Sequence, residues 1–267
     1  MSLLRKVARN YLARQREIGY VPKPQPLAAV ARWVPEPQPG PQTTFWNTPA
    51  EIAFYGGSAG SGKTVSMIFD PLQHIHVPGY SAVIFRRERE QIRIQGGLWD
   101  ESREWYPRLG ARPREQQLDW RFPNTNKISF RGIEHENDVY KYQGLQSPFL
   151  GFDELTHFTW RQFSYFLSRN RSTSGVPGRI RGTCNPDPDS WVAGFIAWYL
   201  DPQTGYAIPE RSGVVRWFAI VEDVIHWADT RDELLEQFPE LGTDGEPIVE
   251  PKSFTFIAAS IYDNQKL

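Results

Sequence analysis

Gly57-Ser58-Ala59-Gly60-Ser61-Gly62-Lys63-Thr64 fills every fixed position of the Gly-x4-Gly-Lys-Ser/Thr phosphate-binding loop. The run before it, 51–55 (Glu-Ile-Ala-Phe-Tyr), reads as a short apolar strand, and the run after it, 65–69 (Val-Ser-Met-Ile-Phe), as the first turns of a helix. Strand, glycine loop and helix are the context in which this motif binds a nucleotide. Gly57, Gly60 and Gly62 let the backbone turn where side chains would forbid it. The N–H groups of Ser58, Ala59, Gly60 and Ser61 can then converge on phosphate oxygens at the positive end of the helix. Lys63 supplies a point charge to the β- and γ-phosphates, and the Thr64 hydroxyl is suited to Mg²⁺.

A second segment carries the matching chemistry. Residues 149–152 (Phe-Leu-Gly-Phe) read as an apolar strand ending in Asp153-Glu154. Such a strand delivers two carboxylates to the carboxyl edge of the sheet, where ligands bind in open α/β folds. Asp153 there would hold Mg²⁺ through its coordination shell, and Glu154 would polarise the water that attacks the γ-phosphate. A third segment, 181–186 (Arg-Gly-Thr-Cys-Asn-Pro), ends a short strand with Thr183 and Asn185, small polar groups able to sense a terminal phosphate. An ordinary Asn-Pro turn is the plain alternative.

The rest of the chain sets the frame. A length of 267 residues with 40% hydrophobic content fits one sizeable domain. A single cysteine, Cys184, excludes an internal disulfide framework, and the five histidines lack metal-ligand spacing. No apolar run is long enough for a membrane span and no secretion signal is apparent, so the expectation is a soluble, intracellular protein. The net charge of −1 conceals an asymmetry: residues 1–200 carry 25 Lys+Arg against 18 Asp+Glu, and residues 201–267 carry 5 against 13. Double-stranded DNA would therefore be held weakly by this chain alone.

Residues 2–18 read as an amphipathic, Arg-rich helix and 22–41 as a Pro-rich extended arm, so 1–41 is expected as an N-terminal appendage and 42–267 as the globular domain. Ala82–Phe85 reads as a second buried strand. Leu118–Phe122 and Lys127–Arg131 alternate at period two around a turn and read as a hairpin. Strand–helix alternation is expected to resume at Pro148, Arg179 and Val214. The class is α/β, a mostly parallel central sheet with helices on both faces and an antiparallel hairpin addition. Trp191, Trp198 and Trp217 sit among apolar residues at helix or strand spacing and read as core rather than base-stacking groups.

The series Trp33-x-Pro-x-Pro-x-Pro-Gly-Pro-Gln42, Tyr55 to Thr64, Lys141-Tyr-Gln-Gly144, Gly151-Phe-Asp-Glu-Leu155, Ser168-Arg-Asn-Arg171 and Thr183-Cys-Asn-Pro186 with Trp191 resembles the ATPase domain of tailed-bacteriophage terminase large subunits. Residues 253–260 with Asp263-Asn264 resemble the stretch that ends that domain. The resemblance implies a P-loop NTPase of the ASCE type that hydrolyses ATP with Mg²⁺ to translocate double-stranded DNA into a procapsid. It also implies a homo-oligomeric ring on the viral portal, a small terminase subunit as partner, and a place in the host bacterial cytoplasm, transiently on the procapsid. The metal-dependent nuclease domain that follows in the family is expected to be absent from this chain. Gln42 matches an adenine-contacting glutamine. Lys63, Thr64, Asp153 and Glu154 match phosphate, metal and catalytic-base positions, and Thr183 to Asn185 match the coupling segment.

One departure is chemical. Many members carry an arginine inside the glycine loop, where this chain has Ser58, Ala59 and Ser61. The transition-state charge must come from elsewhere, for instance a neighbouring subunit; Arg86, Arg87, Arg169 and Arg171 are the candidate arginine fingers, with Lys141 a further cation. Two other readings stay open: a P-loop helicase or recombination ATPase, and a non-motor nucleotide-binding or small-molecule kinase domain. Strand separation or loss of DNA stimulation would favour one or the other.

Overall fold

The structure, a computed structural model, describes residues 34–265 apart from 186, 242–244 and 246. The helix expected at 2–18 and most of the Pro-rich arm lie outside the described residues.

Ten strands form one sheet in the order β3-β4-β5-β2-β6-β7-β1-β10-β8-β9. The six central strands are β5 (Lys127–Gly132), β2 (Ser81–Arg86), β6 (Phe149–Phe152), β7 (Arg179–Cys184), β1 (Ile52–Gly57) and β10 (Lys252–Ala259). All six run parallel. Their apolar runs are continuous rather than alternating because both sheet faces are covered: β1 is buried at all six positions and β6 at all four. The strand that ends in the carboxylates, β6, is separated from the glycine-loop strand β1 by β7. This inserted strand fits the ASCE type of P-loop fold.

Antiparallel additions close both edges. On one, β3 (Arg112–Arg114) and β4 (Asp119–Arg121) extend the sheet from β5, so the expected hairpin shares its second strand with the parallel set. On the other, β8 (Arg216–Val221) and β9 (Val224–Ala228) run antiparallel to their neighbours. The strand–helix alternation expected to resume at Val214 is replaced there by a hairpin. Its cause is the two-residue link Glu222-Asp223, with φ of 50° and 63°, because a turn with both central residues left-handed matches the twist of paired strands.

One face is covered by α1 (Pro41–Asn47), α2 (Lys63–Phe69) and α3 (Leu98–Trp105), the other by α4 (Trp160–Leu167) and α5 (Trp191–Phe195); α6 (Arg231–Gln237) packs on the β8–β9 hairpin. The α4–α5 side holds an aromatic cluster in which Phe54 meets Phe254 edge-on at 4.9 Å and Phe163 lies 5.2 Å from Trp191. Aromatic pairs at such separations favour one mutual geometry over another, beyond the area they bury. Trp191 and Trp198 pack against this core, and Trp217 against the β8–β9–α6 cluster. Among the described residues no helix is long and apolar enough to cross a membrane.

Candidate nucleotide site

The glycine loop leaves the carboxyl end of β1 and enters α2, with Gly60 at φ 82° and Gly62 at φ 83°. Gly57 needs its missing side chain for space, since a Cβ there would lie 2.5 Å from the Ala259 carbonyl oxygen of β10. Ser58, Ala59 and Gly60 form an exposed crest, while Ser61 and Lys63 are buried. Lys63 Nζ donates to the carbonyls of Gly57 at 2.7 Å and Ser58 at 2.9 Å, which folds its ammonium back over the loop. Tyr55 supports the loop from below by donating to the Ser61 carbonyl at 3.0 Å. Burial, with the Asp263 charge behind it, pushes that phenol upward, so it stays protonated and remains a donor.

Gln42, on α1, lies directly against the loop: a Cβ on Gly62 would collide with its Nε2. Its Oε1 accepts from the Gln38 N–H at 3.1 Å, and among the described residues its buried Nε2 has no hydrogen-bond partner. A buried orphan donor is costly and fits a site where a ligand supplies the acceptor. The segment after β10 also reaches the loop. Asn264 Nδ2 donates to the Gly60 carbonyl at 2.7 Å, and Gln38 Nε2 donates to Asn264 Oδ1 at 3.0 Å. Sequence reading missed this support by Gln38, because nothing in its composition marks a residue that works through a partner so distant in the chain.

At the same sheet edge β6 ends in the carboxylates. Asp153 is 4% exposed and both its oxygens are engaged: Oδ1 accepts from Thr183 Oγ1 at 2.7 Å and Oδ2 from Arg86 Nη1 at 2.6 Å. Glu154 adopts φ 55° and ψ 60°, a left-handed conformation that a non-glycine residue holds only where its surroundings enforce it. The enforcing contact is again Thr183, whose Oγ1 accepts from the Glu154 N–H at 3.1 Å. Glu154 Oε1 stands 3.9 Å from Arg86 Nη1. Asn185, just beyond β7, is exposed at this edge. Cys184 is fully buried beside the site, and burial reinforced by the Glu154 charge pushes its thiol up to about 12, so it is inert.

The candidate cations fall in different places. Arg86, the last residue of β2, is inside the site. Arg87 Nη1 donates to Gln162 Oε1 at 2.9 Å and thereby steadies the capping box of α4. Arg169 and Arg171 flank Asn170, whose Nδ2 donates to the carbonyls of Ser147 and Arg179. That loop is therefore at the amino edge of β6 and β7, opposite the glycine loop, and cannot reach the site of its own chain. A cavity lined by Glu51, Asn170, Gly178 and Lys252 opens at that same far edge, away from the carboxylates. Lys141 is exposed and paired with Asp138 at 2.8 Å.

A divalent ion fits as a shared ligand rather than a caged one. Among the described residues no three His, Cys, Asp or Glu side chains converge on a point. Mg²⁺ commonly takes one or two protein oxygens together with substrate phosphates and water. Thr64, half-buried at the start of α2, and Asp153 offer such oxygens.

The family model for the N-terminal part of terminase large subunits of the T4-like-virus type matches residues 54–267. No curated protein matches the sequence at a significant level. Among solved structures, the large terminase of a thermophilic bacteriophage superposes with a TM-score of 0.54 at 16% identity, over 87% of this chain and 48% of that one. The same phage protein in complex with ADP gives 0.52 at 14% identity, over 87% and 47%. The ATPase domain of the Thermus phage P74-26 large terminase gives 0.52 at 12% identity, over 88% of this chain and 86% of that one. At these identities the likeness shows the fold. The chain spans about half the length of the thermophilic-phage large terminase.

Proposed function

Since the chain belongs to the terminase large subunit family, as a domain of its N-terminal type, we propose that it is the Mg²⁺-dependent ATPase motor domain that drives double-stranded DNA into a viral procapsid. The observation that carries this reading is the meeting of three strand ends, those of β1, β6 and β7, at one edge, where Thr183 joins Asp153 and Glu154 within reach of the glycine loop. The complex of the thermophilic-phage large terminase with ADP supports the nucleotide class.

In this reading Lys63 leaves the Gly57 and Ser58 carbonyls and binds the β- and γ-phosphates, while the loop N–H groups from Ser58 to Gly62 hold phosphate oxygens. Gln42 Nε2 donates to the adenine edge. Thr64 and Asp153 would hold Mg²⁺, which would supply charge neutralisation to the phosphates. Glu154 takes a proton from water as the water oxygen bonds to the γ-phosphorus; the bond to the β–γ bridging oxygen breaks, and ADP leaves with that electron pair. Thr183 keeps Asp153 and Glu154 aligned, and Asn185 senses the loss of the terminal phosphate. The domain works as a homo-oligomeric ring on the portal with a small terminase subunit, in the host cytoplasm and on the procapsid. The DNA grip of one subunit is weak.

Two substitutions test the site. Lys63→Ala should abolish ATP binding measured by calorimetry. Glu154→Gln should leave Mg²⁺–ATP binding near that of the parent and lower turnover by about 10²-fold or more. Equal turnover in parent and both variants would remove the site from consideration.

A further inference from the structure

Arg86 occupies a position that neither the glycine-loop motif nor the carboxylate strand accounts for. It ends β2, the neighbour of β6, and the parallel register sets Phe85 beside Phe152. The residues after these two, Arg86 and Asp153, are therefore delivered side by side. The side chain is 17% exposed, its Nε donates to Gln91 Oε1 at 3.1 Å, and its Nη1 donates to Asp153 Oδ2 at 2.6 Å. Among the described residues its Nη2 has no partner. Gln91 in turn donates to Glu88 at 3.0 Å, so the arginine is aimed from behind rather than loosely placed.

Two facts about this pair conflict with a purely structural ion pair. The oxygen Arg86 holds belongs to the carboxylate that would face Mg²⁺, and two cations cannot share one oxygen closely without mutual repulsion. The glycine loop itself has Ser58, Ala59 and Ser61 and no arginine, so Lys63 is the only cation it brings to the phosphates.

We infer that Arg86 is a switch arginine acting within its own chain: it latches Asp153 until Mg²⁺–ATP claims that carboxylate, then turns its fork to the γ-phosphoryl oxygens and stabilises their charge. This rests on the ATPase reading above and assigns it a residue. Arg86 transfers no proton; the bonds made and broken remain those between water, γ-phosphorus and the bridging oxygen, with Glu154 receiving the proton. The turn required is short, because Nη1 already stands 3.9 Å from Glu154 Oε1, the carboxylate that orients the attacking water. A planar fork that stays charged suits both tasks, and an arginine at the γ-phosphate contributes about 10³–10⁵ in rate where it has been removed or supplied in other NTPases.

The test compares the full chain with Arg86→Ala and Arg86→Lys. Metal affinity is read by titrating Mn²⁺ into each protein with a non-hydrolysable ATP analogue and following the free ion by electron paramagnetic resonance. Turnover is measured separately. Removal of the latch should tighten Mn²⁺ binding roughly fivefold or more, a typical size for coupling between two binding events. The same Arg86→Ala variant should lose about 10³-fold in turnover. Arg86→Lys, which keeps the charge without the fork, should bind Mn²⁺ like the parent and recover only part of the rate. A merely structural arginine would weaken metal and turnover together, and that result overturns the switch, as does turnover within threefold of the parent. Mixing Arg86→Ala with Glu154→Gln should restore nothing, because both parts are needed in one chain; recovered activity overturns the action in cis. A parent chain that binds no nucleotide would instead overturn the ATPase reading itself.

Discussion

Thr183 joins two functions through one hydroxyl, donating to Asp153 Oδ1 and accepting from the Glu154 N–H. Thr183→Val keeps the shape and removes both bonds, which leaves a buried carboxylate oxygen and a backbone donor unpaired. That costs about 1–3 kcal/mol for each group left unsatisfied, and the left-handed Glu154 loses its anchor. Urea unfolding should show destabilisation of this order, and turnover should fall about tenfold or more because a general base acts only when positioned. Unchanged turnover alongside the stability loss would make Thr183 a packing residue only.

At the scale of the element, the meeting of β1 with β10 depends on a missing side chain. A Cβ at Gly57 would lie 2.5 Å from the Ala259 carbonyl oxygen and 2.7 Å from Ser61 Oγ. The first is strand backbone and cannot move without opening the β1–β10 register, so Gly57→Ala should cost about 1–3 kcal/mol and weaken nucleotide binding as well. Gly194, inside α5, is the contrast. It has an ordinary backbone conformation and nothing within 4 Å of the position a Cβ would take. Gly194→Ala should therefore stabilise by about 0.4–1 kcal/mol, chiefly through the unfolded chain. Thermal unfolding of the two variants should shift in opposite directions.

For the whole molecule, acid sensitivity should arise at the buried histidines His74 and His76. Burial, with Arg179 next and His76 and Arg181 adding to it, lowers His74 from the usual 6.5 to about 4. His76 is lowered as well, by burial. A histidine held neutral in the folded state binds protons more readily when unfolded. Its share of stability is therefore intact above pH 6.5 and is lost as pH falls from there through about 4. Denaturant midpoints taken across that window should decline with falling pH, and His74→Gln should flatten the decline. An unaltered slope in His74→Gln would place the acid sensitivity elsewhere.

What the chain states locally, it states plainly. The glycine loop, the apolar strand ending in Asp153-Glu154 and the period-two hairpin are each written in contiguous residues, because backbone conformation and strand burial are decided over short spans. Tertiary structure decided the pairings. Arg86 and Asp153 are 67 residues apart, Thr183 and Asp153 are 30 apart, and Asn264 and Gly60 are 204 apart. The sequence offered four arginines as equals; strand order set one of them on the Asp153 carboxylate, one on a helix cap and two at the opposite edge. The β8–β9 hairpin likewise escaped the sequence reading, since Glu222-Asp223 turns left-handed without a glycine to mark it. A motif specifies which groups a site contains, whereas the order and register of parallel strands decide which distant side chains arrive at their carboxyl ends together.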